Sequence, residues 1–299
     1  MRVGILFSEE DDASKTIRSA ACDLLGVEPP AAGPGAPVLV KRARTPSGRE
    51  VLLGTTASSL LEPGPVDEAF EADFLFFASR HRSESGQPAL LVHAPGNWEN
   101  AEYGGQPREV ARTSGVLLAR AFRALASAKE TRALPHSVSL EVTHHGPTGL
   151  ATPCAFVELG SRPADWTDRR AAAAVAEALV EAADHAAAWE VKKGRGGKWV
   201  PLGDARVGLG FGGTHYAPQF SKVVAETSFF TAHLVPKYHV RALTAELLED
   251  AVENVAEEVS FFVLDWKGLN AADKNHLLPL LERFPGVEVL RARQVLKVR

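Results

Sequence analysis

The stretch Ser139-Leu140-Glu141-Val142-Thr143-His144-His145-Gly146-Pro147-Thr148 carries an apolar strand pattern, predicted over 138–142, into a turn. It places one carboxylate and two imidazoles at the end of a strand, where metal-assisted and acid–base sites are commonly built. A second block, Gly210-Phe211-Gly212-Gly213-Thr214-His215-Tyr216-Ala217-Pro218, again places a histidine at a glycine-rich exit from an apolar strand. The two loops predict one shared site.

Apolar runs bounded by turn residues predict strands along the whole chain. The predicted strands are 3–7, 38–40, 51–53, 74–78, 89–93, 138–142, 154–159, 207–209, 229–235, 260–264 and 287–290. Helical patterns lie between several of them, at 14–25, 108–128, 169–189, 244–255 and 271–281. This alternation predicts an α/β fold with a mixed sheet. Loops are expected at 29–37 and 194–202, which are rich in proline or glycine.

Size and composition set further expectations. A chain of 299 residues with 45% hydrophobic content suits a single α/β domain over 1–299, or two intimate lobes. The net charge of −4 means that any contact with RNA must come from local patches. Two cysteines, Cys22 and Cys154, suit a reducing compartment. Because neither a signal peptide nor a membrane span is visible, we expect a cytoplasmic protein. The size of a compact domain and the lack of an oligomerisation motif suggest a monomer.

Several blocks together resemble the archaeal-type D-aminoacyl-tRNA deacylases, and the resemblance covers nearly the whole chain. Besides the two histidine loops, they are Phe156-Val157-Glu158-Leu159-Gly160-Ser161 with Trp166, Ser79-Arg80-His81-Arg82-Ser83 with Gly86, His93-Ala94-Pro95-Gly96-Asn97-Trp98, and His233-Leu234-Val235-Pro236-Lys237-Tyr238-His239. The resemblance implies a three-layer α/β/α sandwich of the phosphorylase/peptidase-like kind. It also implies zinc-dependent hydrolysis of the ester of D-aminoacyl-tRNA, with the charged tRNA as partner.

Zinc takes about three protein ligands and an open position, and imidazole nitrogen and carboxylate oxygen are both suitable donors. The candidate ligands are His144, His145, His215 and His239. Adjacent strand residues point to opposite faces, so both members of the His144–His145 pair could face one site only if the chain turned directly after Thr143. Alternatively, one of the two imidazoles holds the turn while the other acts.

The candidate catalytic residues are Glu141, His145 and Glu158. Zinc would polarise the ester and acidify water, and either Glu141 or Glu158 would accept the proton. Glu158 stands inside an apolar strand pattern, where a carboxylate needs a partner or a shifted pKa. It is therefore either functional or part of a structural ion pair.

Strand ends and loops supply candidates for binding the substrate and its RNA, because open α/β sheets bind ligands at the carboxyl ends of their strands. These candidates are His81, His93, Asn97, Gly212, Gly213, Tyr216, Lys237, Tyr238, Lys192, Lys193, Arg195 and Lys198. The last four form a basic loop suited to phosphate contact. The other histidines, His136, His185 and His276, are expected at the surface or in a loop.

Two other functions fit parts of the pattern. A zinc peptidase or amidohydrolase acting on small substrates would use the same site without the basic loop. A non-catalytic RNA-binding or metal-responsive protein is disfavoured, because an RNA platform needs more positive charge and more than the 7% aromatic residues found here.

Overall fold

The computed structural model describes residues 1–30, 38–187, 197–201 and 203–297. Most of the loop predicted at 29–37 and part of that at 194–202 lie outside the described residues. Contacts group the chain into two compact units, each discontinuous in sequence. Unit 1 comprises Met1–Val92, Arg120–Ser139 and Leu150–Glu190, and unit 2 comprises His93–Ala119, Leu140–Gly149 and Val191–Arg299.

The described residues form thirteen strands. They are β1 Val3–Ser8, β2 Val38–Arg44, β3 Glu50–Thr56, β4 Phe74–Arg80, β5 Ala89–His93, β6 Gly96–Asn97, β7 Glu109–Val110, β8 Ser137–Leu140, β9 Cys154–Leu159, β10 Arg206–Phe211, β11 Phe229–Val235, β12 Val259–Leu264 and β13 Glu288–Arg291. The predicted α/β class with a mixed sheet is confirmed, since parallel and antiparallel pairs occur together in the larger sheet.

The described residues also form nine α-helices. They are α1 Asp12–Leu25, α2 Val66–Ala69, α3 Gly115–Thr131, α4 Pro163–Trp166, α5 Arg169–Ala187, α6 Pro218–Glu226, α7 Ala245–Glu253, α8 Ala271–Leu281 and α9 Ala292–Val295. Within the part of the chain that the structure covers, none of them combines the length and the apolar character that crossing a membrane requires.

The larger sheet has seven strands in the order β2-β3-β1-β4-β9-β5-β8, and most of its residues belong to unit 1. The central strands β1, β4 and β9 run parallel to one another, and nearly all their side chains are buried. Because both faces of these strands are buried, their sequences are continuous runs of apolar residues. Their carboxyl ends share one edge, where polar residues follow β1 and β4.

Helices α1 and α5 pack side by side and both contact strands of this sheet. The start of α1 is fixed by Asp11, whose carboxylate accepts the backbone N–H of Ser14 at 2.9 Å. The helix ends at Gly26, which adopts the left-handed conformation common at such positions. The sequence prediction of this helix was therefore short by two residues at its N-terminus.

Unit 2 contains a four-stranded parallel sheet in the order β11-β10-β12-β13 and the short antiparallel pair β6–β7. Strand β10 lies inside this sheet and alternates glycine with large apolar residues. A side chain at Gly208 would overlap the carbonyl oxygen of Phe261, and one at Gly210 would crowd Leu234. The close approach of β10 to its neighbours thus requires these glycines.

The helix predicted at 108–128 begins later than expected. Residues Glu109–Val110 form β7, and α3 starts only after Ser114, whose hydroxyl accepts the N–H of Leu117 at 3.1 Å. The carboxylate of Glu257 also accepts N–H groups of the first turn. This capping carboxylate comes from a distant part of the sequence, so local periodicity did not reveal the helix start.

Candidate functional site

Four histidine side chains of unit 2 converge on one place. His93 is the last residue of β5, His144 and His145 follow β8, and His215 follows the exit of β10. The ring centroid of His144 lies 4.1 Å from that of His93, 4.5 Å from that of His145 and 4.7 Å from that of His215. The structure thus brings the histidines of the two loops together, as their positions at strand ends predicted.

A sharp turn after Thr143 allows neighbouring residues to face the same way. The backbone N–H of Thr143 donates to Leu234 at 3.0 Å, which fixes the chain just before the turn. His145 has a φ of 45°, in the left-handed region that residues other than glycine rarely occupy. The turn releases the two imidazoles from the alternation of an extended strand, and the conditional prediction made for this pair is met.

The main chain orients three of the four rings. Nδ1 of His144 lies 2.8 Å from the carbonyl oxygen of Val142, and Nδ1 of His145 lies 2.7 Å from that of Gly146. Nδ1 of His93 lies 3.2 Å from the carbonyl oxygen of Ala94. Because a carbonyl only accepts, each Nδ1 is protonated in the neutral ring. Nε2 then carries the lone pair, as a metal ligand requires.

Two sets of donor atoms in this unit are compact enough to hold a metal ion. One set is His93, His144 and His145, and the other is Glu141, His144 and His215; within each set the ligand atoms lie within 4.8 Å of one another. Imidazole and carboxylate donors in groups of three are typical of catalytic zinc sites. The chemistry of the residues present therefore fits zinc.

Glu141 links this cluster to an exposed tyrosine. Its side chain is fully buried, and its Oε1 lies 3.0 Å from Nε2 of His215. Nδ1 of the same ring lies 3.3 Å from the hydroxyl of Tyr238. Burial and the nearby charge of Glu141 raise the pKa of Tyr238. Carboxylate, imidazole and phenol form a row from the buried to the exposed side.

A buried polar network supports the strand end beneath the site. His233 is fully buried; its Nε2 donates to the carbonyl of Ala111, and its Nδ1 accepts from the hydroxyl of Thr143, each at 3.1 Å. The Thr143 hydroxyl in turn accepts the N–H of Leu234. Burial lowers the pKa of His233 to about 4, so this ring is neutral and its hydrogen bonds are those of the neutral form.

Comparison with known proteins identifies the family. The family model described as D-aminoacyl-tRNA deacylase matches residues 68–289. A D-aminoacyl-tRNA deacylase of Archaeoglobus fulgidus is 35% identical over 252 residues, covering 83% of this chain and 84% of the relative. The chain belongs to the D-aminoacyl-tRNA deacylase family.

Other members of the family are similar to this chain to about the same degree. The D-aminoacyl-tRNA deacylase of Thermococcus onnurineus is 34% identical over 250 residues, covering 81% of this chain and 84% of the relative. That of Methanocaldococcus jannaschii is 33% identical over 217 residues, covering 71% and 79%. The crystal structure of a conserved protein of unknown function aligns with a TM-score of 0.82 and 31% identity, covering 100% of this chain and 97% of that one. The resemblance predicted from the sequence blocks is confirmed.

His239, a predicted zinc ligand, does not join the cluster of His93, His144, His145 and His215. Its Nδ1 lies 3.2 Å from the carboxylate of Glu99, and its ring packs against Tyr238. Among the described residues, no donor set that could hold a metal includes it. The prediction is corrected because the chain turns after Lys237 and presents this imidazole to Glu99. His93, predicted to bind substrate, belongs instead to a donor set that could hold a metal ion.

Asn97 and the glycine pair shape loops of the site. The Asn97 amide donates to the carbonyls of Gly104 and Gln106 at 2.9 and 3.2 Å, so it holds a loop and is buried. Gly212 and Gly213 have φ values of 100° and 79°, which only glycine adopts readily. These glycines turn the chain from β10 toward His215.

Three predicted substrate-binding residues border the histidine cluster and are exposed: Tyr216, Lys237 and Tyr238. The ring of Tyr216 lies 5.4 Å from that of His215. The backbone N–H of Lys237 donates to Gly213 at 3.1 Å, which ties the Lys237–Tyr238 segment to the glycine turn. The segments after β10 and β11 thus lie together.

The predicted basic loop is described only at its end, because Lys192, Lys193 and Arg195 lie outside the described residues. The Lys198 ammonium donates to backbone carbonyls at the end of α7, including that of Glu253 at 2.7 Å. Burial lowers the pKa of Lys198. This cation stabilises a helix C-terminus, a role that the composition of the loop did not indicate.

His81 and Glu158 lie in unit 1, where they form a second polar cluster at the ends of β4 and β9. Both side chains are buried, and Nδ1 of His81 lies 3.4 Å from Oε2 of Glu158. The Ser79 hydroxyl donates to Oε1 of the same carboxylate at 2.8 Å. The unusual carboxylate in an apolar strand has the partners that burial requires.

The remaining histidines differ from one another. His185 is exposed on α5, as expected, while Nε2 of His276 lies 2.9 Å from the carbonyl of Leu243. His136 lies in the loop directly before β8, as expected, but it is only 3% exposed, and burial lowers its pKa.

Proposed function

We propose that this chain hydrolyses the ester bond of D-aminoacyl-tRNA to release free D-amino acid and tRNA. Membership of the family supports the reaction, since the relatives above are named for it. The observation that carries a hydrolytic role is the convergence of four imidazoles and one buried carboxylate in unit 2. Such a cluster suits activation of water beside an ester.

We propose His93, His144 and His145 as the residues that hold zinc. Their Nδ1 atoms are engaged by backbone carbonyls, which directs the lone pair of each Nε2 to the ligand position. Zinc bound there supplies Lewis-acid polarisation of the ester carbonyl and acidification of water. Glu141 with His215 is the alternative set around His144.

Glu141 and His215 would move the proton. The carboxylate accepts a proton as water attacks the ester carbon, and Nε2 of His215, 3.0 Å from its Oε1, helps to position it. When the tetrahedral intermediate collapses, the bond between the acyl carbon and the ribose oxygen breaks. The proton then passes to that oxygen and restores the tRNA hydroxyl.

Binding of the tRNA end would use the exposed residues beside the cluster. Tyr216 and Tyr238 offer rings to a base, and Lys237 offers a cation to a phosphate. A pocket that clashes with the opposite configuration would select D-acyl groups. RNA contact by Lys192, Lys193 and Arg195, cytoplasmic location and the monomeric state stay predictions.

Glu158 is retained as a second candidate for the base, with His81 as its partner in unit 1. Glu158→Gln keeps the size of the side chain and its bond to Ser79 but removes the negative charge. If Glu158 takes the proton, Glu158→Gln lowers turnover to the uncatalysed rate while Glu141→Gln keeps activity. We expect the opposite result, in which Glu141→Gln loses turnover and Glu158→Gln keeps it. That result assigns the proton to Glu141.

The function is tested by hydrolysis of matched D-tyrosyl-tRNA and L-tyrosyl-tRNA, with metal-free protein and with zinc restored. We expect zinc-dependent loss of the D-ester alone. If neither ester is cleaved faster than in the enzyme-free control when zinc is present, the proposal fails.

The same donor set would also suit a zinc peptidase or amidohydrolase acting on small substrates. Salt separates the two functions, because binding of tRNA weakens steeply with ionic strength and binding of a small peptide need not. A protein that binds tRNA but hydrolyses neither ester nor peptide would fit the third alternative, a non-catalytic RNA-binding protein.

A further inference from the structure

All three tyrosines of this chain are exposed and lie in unit 2. Tyr216 and Tyr238 border the histidine cluster and have a place in the proposed function. Tyr103 has no such place, yet it is the most exposed of the three, at 66%. A solvent-exposed aromatic ring next to a candidate functional site is a plausible point of contact for a ligand.

Tyr103 is tied to the turn that carries the two adjacent histidines. The N–H of Gly146, the residue after His145, donates to the carbonyl of Tyr103 at 2.9 Å. A side chain at residue 146 would overlap the backbone of Gly104 and Gly105. The main chain at Tyr103 therefore packs directly on the main chain of the histidine turn.

Buried polar side chains hold this loop in one conformation. The amide of Asn97, 5% exposed, donates to the carbonyls of Gly104 and Gln106. The hydroxyl of Thr148, 4% exposed, accepts the N–H of Gln106 at 3.0 Å. The ring of Tyr103 is consequently presented by a fixed loop, which lowers the entropy cost of using it in binding.

The charge around Tyr103 decides which part of an RNA it suits. Glu99 and Glu102, which precede Tyr103 closely in the sequence, carry exposed carboxylates, so this segment disfavours contact with phosphate. A neutral base has a π face that stacks on an aromatic ring whatever its identity. The loop thus fits an unpaired base and not the sugar-phosphate backbone.

We propose that Tyr103 is a stacking site for an unpaired base near the 3′ end of tRNA, next to the nucleotide that carries the ester. This inference rests on the proposed function and extends it to the RNA part of the substrate. It gives the single-stranded tRNA end an anchor on the loop that packs against the histidine turn.

Kinetics with two substrates test the proposal. With D-tyrosyl-tRNA we expect Tyr103→Ala to raise KM about tenfold, as loss of one stacked base implies, at unchanged kcat. With the D-tyrosyl ester of adenosine, which has no neighbouring base, KM should not change. Tyr103→Phe keeps the ring and should behave as the wild type. Val289→Ala, at an exposed apolar position of β13, is the matched control and should change neither substrate.

The proposal is overturned if Tyr103→Ala leaves KM for the tRNA ester unchanged. It is equally overturned if the adenosine ester suffers the same loss, or if Tyr103→Phe is as impaired as Tyr103→Ala.

Affinity for uncharged tRNA separates failure of this inference from failure of the proposed function. If no ester is hydrolysed but Tyr103→Ala binds uncharged tRNA about tenfold more weakly than the wild type, the stacking site stands and only the reaction is wrong. If esters are hydrolysed but the variant binds uncharged tRNA as the wild type does, the reaction stands and the stacking site is wrong.

Discussion

His144 belongs to both donor sets in unit 2, one with His93 and His145 and the other with Glu141 and His215. Its ring lies between those of His93 and His215, and its Nδ1 is engaged by the carbonyl of Val142. Whichever set holds zinc, this imidazole is required. It is therefore the residue on which the metal proposal is tested most directly.

We expect His144→Asn to lower zinc affinity at least 100-fold, because a three-ligand set loses one donor. The measurement is zinc content and dissociation constant by equilibrium dialysis, independent of any substrate. His185→Asn, an exposed histidine on α5, is the control and should bind zinc as the wild type does. Equal zinc affinity in the two variants would exclude both donor sets.

At this scale the sequence identified the residue types but not all their roles. The convergence of His144, His145 and His215 followed from their places at strand ends. The assignment of His239 failed, because its partner Glu99 is distant in sequence and only the fold brings them together. The role of Lys198 was hidden for the same reason.

At the scale of elements, strand β10 depends on the absence of side chains at alternate positions. Gly208→Ala would place a methyl group against the backbone of Phe261 in β12, which cannot move without breaking the sheet. We expect a loss of about 3 kcal/mol or more in the free energy of unfolding, measured by urea denaturation. Gly149→Ala, where nothing lies within 4 Å, should change it by less than about 0.5 kcal/mol. Similar losses in both would contradict the packing argument.

Elements with a strong apolar pattern were predicted well from the sequence. Strands β9 and β11 and helix α8 have the predicted limits, because the strands are continuous apolar runs and the helix begins with a capping box formed by Asn270 and Asp273. Helix α3 was predicted too early, since its capping carboxylate, Glu257, is remote. The division of the described strands among three sheets was not predicted either, because strand pairing is a long-range property.

At the scale of the whole molecule, two buried neutral histidines make stability depend on pH. Burial lowers the pKa of His233 from 6.5 to about 4 and lowers that of His136 as well. The unfolded chain binds protons on these rings more readily than the folded chain does. The stabilisation that depends on these two neutral rings is therefore fully present above pH 6.5 and is lost as the pH decreases toward 4.

For His233 alone the expected loss in the free energy of unfolding between pH 6.5 and 4 is about 3 kcal/mol. Urea denaturation of metal-free protein across this range measures it. His233→Gln, which can still donate to Ala111 and accept from Thr143, should show a flatter profile. A titration of the His233 ring by NMR with a midpoint near 6.5 in the folded wild type would contradict the prediction.

The carbonyls of Val142 and Ala94 that orient the His144 and His93 rings belong to the main chain, and every amino acid carries such a group. Mutations that change the side chains at these two positions therefore leave the orienting hydrogen bonds in place. Over evolutionary time the surroundings of these two rings can diverge while their donor atoms keep their direction. Related proteins that keep the fold can therefore keep the orientation of these imidazoles even when the side chains around them differ.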